Sequence, residues 1–221
     1  MSMRASLLRL GLAVGALSLA AACAGPTPTP LPPGGVILQD DFSDVKSGWD
    51  RHTGSDITTD YSAGRYQITV APVNVDAWGL AGLDLNDMQV TAEAAYVAGP
   101  LDNAFGLVCR YTRVNDQNNF YFFLVSSDGY YAMGKVVEDE RTYLNPAGDF
   151  EPLSTPTDDP AAALRLQATC QGGTFQFAVN GTPLGTFQDG QLTHGDVGVI
   201  AGTFNEGGIQ IAFDNVRVTQ P

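Results

Sequence analysis

Residues 103–137, with the sequence NAFGLVCRYTRVNDQNNFYFFLVSSDGYYAMGKVV, decide the fold of this chain. They contain three segments rich in Val, Tyr and Phe, which are separated by the turn pairs Asn115-Asp116 and Asp128-Gly129. Strands favour β-branched and aromatic residues, and an Asp-Gly pair supplies the positive φ angles of a type I′ turn. The stretch therefore predicts three consecutive antiparallel strands joined by tight turns.

The sequence on either side continues this pattern of short strands. Apolar and polar side chains alternate in residues 65–70 (RYQITV), 88–97 (MQVTAEAAYV) and 161–171 (AAALRLQATCQ). Asn180-Gly181 predicts a second type I′ hairpin, whereas residues 138–159, rich in acids, Pro and Thr, predict a long surface loop. Short alternating strands at this spacing predict an all-β fold, a two-sheet antiparallel sandwich.

The N-terminus predicts export. Arg4 and Arg9 precede an apolar run at residues 10–22, which ends in three alanines directly before Cys23. A run of thirteen residues is too short to cross a hydrocarbon core of about 30 Å as a helix, so it favours a cleaved signal peptide over a retained membrane anchor.

Cys23 directly follows these small residues, as the lipid-acceptor cysteine does in the bacterial lipobox that this segment resembles. Ala20 stands where that motif usually has a bulkier apolar residue, so ordinary signal peptidase cleavage is the alternative. The Pro- and Thr-rich residues after Cys23 predict a stiff, extended spacer. We thus divide the chain into a signal peptide (1–22), a lipid-acceptor Cys with its tether (23–35) and a sandwich domain (36–221).

The net negative charge of the chain limits the classes of partner that it can bind. Outside the N-terminal segment there are nine basic and 24 acidic residues. Such an acidic protein repels nucleic acid and anionic lipid surfaces, so we expect no nucleic-acid partner and membrane contact only through the lipid anchor. The predicted location is the cell envelope, on the outer side of the membrane.

Several segments together resemble the concanavalin A-like lectin/glucanase jelly-roll domains of bacterial surface lipoproteins. The resemblance covers residues 36–219 and rests on GLVCRY (106–111), NNFYFFLVSSDGYYAMGKV (118–136), LRLQATCQGGTFQFAVNG (164–181), GDVGVIAG (195–202) and FDNVRV (213–218). It implies a jelly-roll sandwich whose architecture is related to 3-keto-disaccharide hydrolase-type domains.

The two remaining cysteines, Cys109 and Cys170, form an even pair in a protein predicted to be exported to an oxidising compartment. Alternation along each strand places Cys109 on the face of Leu107 and Tyr111, and Cys170 on that of Leu164 and Leu166. The sequence therefore predicts a disulfide in the core, with two buried free thiols as the alternative.

Catalytic patterns are not evident. His52 and His194 are the only histidines, and neither lies near a Gly-x-Ser-x-Gly motif. Glycosidases need two carboxylates at a defined separation, and glucanases of this fold carry them as Glu-x-Asp-x-x-Glu on one strand. Residues 138–140 (EDE) lack that spacing. We expect a non-catalytic binding module, and a glycosidase-like enzyme remains an alternative.

Carbohydrate is the predicted ligand class, because sugars bind to aromatic faces flanked by polar side chains. If Cys109 faces inward, alternation predicts an outward stripe along the central strands; the alternative is that these aromatics are packed in the core. A protein-interaction role in an envelope assembly is the other candidate function, in which a partner would cover the same stripe. The stripe consists of Arg110, Tyr121, Phe123, Tyr131 and Lys135.

Calcium is a candidate structural ion, since jelly-roll domains of this kind often carry one and carboxylates at strand ends suit a hard cation. The resemblance places the first and last strands side by side. Asp41 and Asp214 are the predicted ligands, against the alternative that they are solvated surface acids.

The lipobox interpretation predicts that Cys23→Ser releases the mature protein from the membrane fraction, because serine cannot accept the lipid. Detergent partitioning of the parent and the variant measures this. If the serine variant partitions into detergent as the parent does, the interpretation is wrong.

Overall fold

The computed structural model describes residues 31–154 and 159–221. The predicted signal peptide, Cys23 and the tether as far as residue 30 lie outside these residues. Among the described residues, no helix is long and apolar enough to cross a membrane.

Strands account for nearly all of the regular structure in the described residues. They are β1 (Val36–Asp40), β2 (His52–Thr53), β3 (Ile57–Ser62), β4 (Arg65–Val70), β5 (Asp76–Leu80), β6 (Met88–Ala98), β7 (Asn103–Val114), β8 (Gln117–Val125), β9 (Tyr130–Val137), β10 (Glu140–Tyr143), β11 (Glu151–Pro152), β12 (Leu164–Gln171), β13 (Thr174–Val179), β14 (Thr182–Gln188), β15 (Asp196–Thr203) and β16 (Ile209–Thr219).

These strands form two antiparallel sheets, which confirms the predicted sandwich. The nine-stranded sheet has the order β14-β13-β12-β6-β16-β4-β3-β2, and β1 pairs with β16 beside this path. The seven-stranded sheet has the order β10-β9-β8-β7-β15-β5, and β11 pairs with β9. The three strands predicted from residues 103–137 lie together at the centre of the seven-stranded sheet.

Two of the predicted turns have the backbone of a type I′ turn. Asn115 and Asp116 have φ angles of 50° and 65°, and Asn180 and Gly181 have φ angles of 52° and 81°. Asn, Asp and Gly occupy this left-handed region more readily than other residues do. These pairs therefore close the β7–β8 and β13–β14 hairpins as the sequence predicts.

The type I′ turn predicted at Asp128-Gly129 is wrong. Only Gly129 of this pair has a positive φ angle, 95°. The loop has four residues, 126–129, because the Ser126 carbonyl accepts the Gly129 N–H at 3.2 Å and the Ser126 hydroxyl accepts the Tyr130 N–H at 3.0 Å. The Tyr130 N–H therefore donates to the Ser126 side chain, instead of making the backbone hydrogen bond that closes a two-residue turn.

The long surface loop predicted at residues 138–159 is also wrong in its first part. Glu138 and Asp139 have φ angles of 54° and 66° and form another tight turn. The chain then returns as β10, in which Arg141 pairs with Val136 and Tyr143 pairs with Gly134. This extra edge strand brings Arg141 and Tyr143 onto the outer face of the seven-stranded sheet.

The main core lies between the two sheets. Large buried side chains from both sheets meet there, including Tyr66 and Phe213 from one sheet and Phe105 and Leu107 from the other. Trp49 also belongs to this core, with its ring 5.1 Å from that of Phe42. The predicted disulfide between Cys109 in β7 and Cys170 in β12 is confirmed, and it joins the two sheets through the core.

The two cysteines of the disulfide are 61 residues apart in the sequence. We therefore expect the disulfide to stabilise the domain by about 4 kcal/mol, because it lowers the chain entropy of the unfolded state. Urea unfolding of the parent with and without reductant, and of the Cys109→Ala/Cys170→Ala variant, measures this. Equal midpoints in all three samples would contradict the expectation.

Candidate functional site

The predicted outward stripe is not on the surface. Tyr121 and Phe123 are 0% exposed and Tyr131 is 7% exposed, and all three belong to the core between the sheets. The reason is the register: Tyr121 lies directly opposite Cys109 in the β7–β8 ladder, and residues directly opposite each other point to the same face. Because Cys109 points inward, Tyr121 and Phe123 do so too.

The other face of β8 is apolar as well, which explains why the apolar side chains did not indicate the core face. A second buried cluster covers the outer face of the seven-stranded sheet. It contains Ala104, Val108, Phe120, Phe122, Leu124, Ala132, Val136 and Ile200. Alternation alone cannot say which side of such a sheet faces the main core.

Arg110 is buried rather than exposed, because β7 contains a bulge. The register skips from Cys109 opposite Tyr121 to Thr112 opposite Asn119, and Arg110 has a φ angle of 55°. An extra residue in one strand reverses the alternation after it. Both Cys109 and Arg110 therefore point inward.

The Arg110 guanidinium is held by several partners. Its Nε donates to the Asn86 carbonyl and its Nη1 to the Leu192 carbonyl, each at 2.8 Å, and Nη2 lies 3.2 Å from the Asp87 carboxylate. Burial lowers the pKa of Arg110, and Asp87 opposes this shift. The side chain also lies over the Phe175 ring at 5.1 Å. Arg110 thus ties two loops to β7 and presents no free donor face to a ligand.

Lys135 also points inward, at the edge of the sandwich. Its Nζ lies 2.5 Å from Oδ2 of Asp189, whose other oxygen accepts the Tyr121 hydroxyl. Partial burial works to raise the pKa of Asp189, but Lys135 and Tyr121 outweigh it and lower that pKa. Burial raises the pKa of Tyr121 to about 12, so its hydroxyl remains a donor. This network closes the edge between the sheets.

The outer face of the seven-stranded sheet carries a different aromatic group. The bulge turns Tyr111 outward, where its ring lies 5.8 Å from Trp78 and 6.0 Å from Phe120, and Trp78 lies 5.4 Å from Phe120. The Tyr111 hydroxyl donates to Asn118 at 2.8 Å. Trp78 is half-buried, so part of its ring is available to a ligand.

A first cavity of about 310 Å³ opens beside this group. Its walls combine aromatic carbon with amide, hydroxyl and carboxylate groups. The residues that line it are Asn74, Asp76, Trp78, Asn118, Phe120, Val136, Asp139, Arg141, Thr203 and Phe204.

Two of the three charged side chains of the first cavity, Asp76 and Arg141, are paired with each other. Asp76 forms an ion pair with Arg141, whose guanidinium lies 5.2 Å from the Phe122 ring centre. Burial raises the pKa of Asp76, and the guanidinium opposes that rise. Asp139 accepts the side-chain amide of Asn118 at 2.7 Å. The cavity therefore offers oriented polar groups with little unpaired charge.

A second, larger cavity of about 670 Å³ adjoins the first and shares Asn74 and Phe204 with it. We call the two together the trough. The second cavity is lined by Asn74, Asp102, Ser126, Asp128, Tyr130, Tyr143, Asp149, Phe150, Phe204 and Asn205.

The predicted calcium ligands are not brought together into a site. The backbone N–H and the hydroxyl of Ser43 both donate to Asp41, at 3.0 and 2.6 Å. Asp214 accepts the Asn215 N–H at 2.7 Å and lies 4.0 Å from Arg65. Among the described residues, no group of three His, Cys, Asp or Glu side chains could hold a metal ion. The set does not fit the predicted ion, and no role is built on it.

Comparison with solved structures decides the fold class. The carbohydrate binding module CBM66 from Bacillus subtilis matches with a TM-score of 0.60 at 14% identity, over 79% of this chain and 96% of that chain. A protein with a galectin-like fold from Bacillus subtilis matches with a TM-score of 0.62 at 14% identity, over 86% and 97%. The fold is concanavalin A-like.

A Bacillus licheniformis β-glucanase has a TM-score of 0.61 at 11% identity and matches over 85% of this chain and 99% of that chain. The fold thus occurs in proteins that bind carbohydrate and in proteins that hydrolyse it. Comparisons with protein-family models and with curated protein sequences found no match.

Sequence reasoning missed most of the trough. The patterns in the sequence give Trp78 no role, and Arg141 and Tyr143 fall within the predicted loop at residues 138–159. A usable signal was present for β10: the tripeptide Arg141-Thr142-Tyr143, which follows the Glu138-Asp139 pair after one intervening residue, contains two β-formers.

The burial of Tyr121 predicts that Tyr121→Ala destabilises the domain by about 3 to 5 kcal/mol, because it leaves a cavity in the core. Tyr121→Phe is the matched control, which keeps the ring and loses the two hydrogen bonds of the hydroxyl, to Asp189 and from the Leu192 N–H, at about 1 kcal/mol each. Thermal melts of both variants measure this. An alanine variant that melts with the parent would show that the ring is not in the core.

Proposed function

We propose that this protein is a non-catalytic glycan-binding module and that the trough on the outer face of the seven-stranded sheet is its binding site. The observation that carries the proposal is the half-buried Trp78 ring at the wall of a cavity whose polar groups are already oriented. An aromatic face packs against the C–H groups of a sugar ring, and fixed amides and carboxylates accept or donate to its hydroxyls.

The polar groups of the first cavity suit neutral hydroxyls. Asp76 and Arg141 neutralise each other, so together they present both an acceptor and a donor without net charge. Asn74 and Asn118 add amides, which can donate and accept. The outer face of the nine-stranded sheet offers no comparable wall: polar side chains such as Gln67, Thr91 and Gln167 occupy it.

In the first cavity, binding fits the arrangement of the side chains better than hydrolysis does. Cleavage of a glycosidic bond needs two carboxylates on opposite sides of the sugar, one of them able to donate a proton. The central strands of the outer face contribute apolar side chains such as Phe120, Phe122 and Leu124. Of the carboxylates in the first cavity, Asp76 is paired with Arg141 and Asp139 with Asn118, so each is held by a neighbour.

The disulfide supports an extracytoplasmic location, because such bonds persist in oxidising compartments. We propose that the module is tethered to the cell surface through a lipid on Cys23, where it would hold a glycan close to the envelope.

We expect Trp78→Ala to weaken glycan binding by about two- to tenfold, since one aromatic contact contributes about 0.5 to 1.5 kcal/mol. A glycan array first identifies a ligand, and isothermal titration then measures the affinity of the parent and the variant. Trp78→Phe keeps a smaller ring and should retain most of the affinity.

Tyr96→Ala is the matched control, since Tyr96 is a half-buried aromatic residue on the nine-stranded sheet. It should leave the affinity unchanged, and thermal melts of all variants verify that they are folded. Equal losses for Trp78→Ala and Tyr96→Ala, or no bound glycan on the array, would contradict the proposal.

A further inference from the structure

The two cavities of the trough differ in how many of their acids are neutralised by a cation: one of two in the first cavity, and none of three in the second. In the first cavity, Asp76 is paired with Arg141. The second cavity has three carboxylates, Asp102, Asp128 and Asp149, and its lining contains no Lys, Arg or His. None of the ion pairs in the described part of the chain involves these three carboxylates.

The second cavity is also walled by aromatic rings. Tyr143 and Phe150 lie 5.9 Å apart, and Phe150 lies 5.5 Å from Phe204. Tyr130 stands at the rim with 42% of its surface exposed. The faces of such rings attract an organic cation, and this attraction adds to that of nearby carboxylates.

A metal ion does not account for the three carboxylates. They do not form a group that could hold one, as no such set of three acids occurs among the described residues. Asp128 accepts a hydrogen bond from the Ser126 hydroxyl, and Asp149 accepts one from the Phe150 N–H at 2.8 Å. One oxygen of each carboxylate is therefore hydrogen-bonded within its own loop. Carboxylates spread around a cavity of about 670 Å³ suit a larger cation that is itself part of an organic molecule.

We propose that the second cavity is a subsite for sugar residues that carry a free primary amine, as in de-N-acetylated amino-sugar chains. The inference rests on the proposed glycan-binding function and specifies its ligand. Asn74 and Phe204 line both cavities, so one glycan chain can place a neutral ring against Trp78 and the next, protonated ring among the three carboxylates.

The probes are an oligomer of glucosamine and an oligomer of N-acetylglucosamine of equal length. They are titrated into the disulfide-bonded domain at mildly acidic pH, where the sugar amine is protonated and exposed aspartates remain ionised. We expect the glucosamine oligomer to bind at least about tenfold more tightly, and added salt to reduce the difference by screening the charges.

Asp128→Asn should weaken binding of the glucosamine oligomer by about two- to fivefold, and the triple variant Asp102→Asn/Asp128→Asn/Asp149→Asn should abolish the preference. Asparagine keeps an acceptor for the local hydrogen bonds of Asp128 and Asp149. Asp116→Asn is the matched control, because it removes the same charge from a side chain that is 96% exposed in the β7–β8 turn. It should leave both affinities unchanged.

The outcomes separate this inference from the proposed function. If both oligomers bind equally and Trp78→Ala weakens both, the amine subsite is wrong and the glycan-binding function stands. A preference that survives in the triple variant, or that requires added calcium, also overturns the subsite. If neither oligomer binds and the glycan array is empty, the subsite and the proposed function both fail.

Discussion

The buried guanidinium of Arg110 is the constraint on which the arrangement of the seven-stranded sheet depends. A charge removed from water is costly unless hydrogen bonds and an opposite charge replace its hydration. Here two carbonyls, the Asp87 carboxylate and the Phe175 ring do so. These partners sit on the inner side of β7, so they require the bulge that points Arg110 inward. The same bulge sends Tyr111 outward, where it meets Trp78 and Phe120. One backbone irregularity thus closes the sandwich edge and builds the aromatic wall of the trough.

A sheet that is apolar on both faces needs cover on both. The nine-stranded sheet covers the inner face. On the outer face, Tyr143, Phe150 and Phe204 pack against the second buried cluster, and they leave uncovered the two cavities at their sides. Because the cover comes from β10, from the segment before β11 and from the end of β15, the trough is walled by residues distant in sequence. Its shape follows from how completely these segments cover the sheet.

The sequence predicted the architecture well, because alternation and turn chemistry are local. The strands at 65–70 and 88–97 and the Asn180-Gly181 turn are predicted correctly, and so is the disulfide. The prediction of an outward stripe was wrong because it depended on features that are not local. Its face depends on the pairing of Cys109 with Tyr121 and on one extra residue at Arg110, and both are properties of the ladder between strands. A polar face on β8 would have identified the side that points to solvent, but both faces of β8 are apolar.

The tether reaches the domain at the sheet that does not carry the trough. Gly34 donates to the Gln220 carbonyl at 2.8 Å and Gln220 donates to the Gly35 carbonyl at 2.9 Å, so the last residues of the spacer are bonded to the chain's C-terminal end. β1 then continues along β16 in the nine-stranded sheet. Since the spacer enters there, its point of entry competes neither with Trp78 nor with the acidic cavity for space. The proposed attachment at one sheet would therefore leave the outer face of the other sheet free for the proposed glycan, and the unpaired carboxylates on that face would favour a chain that carries amines.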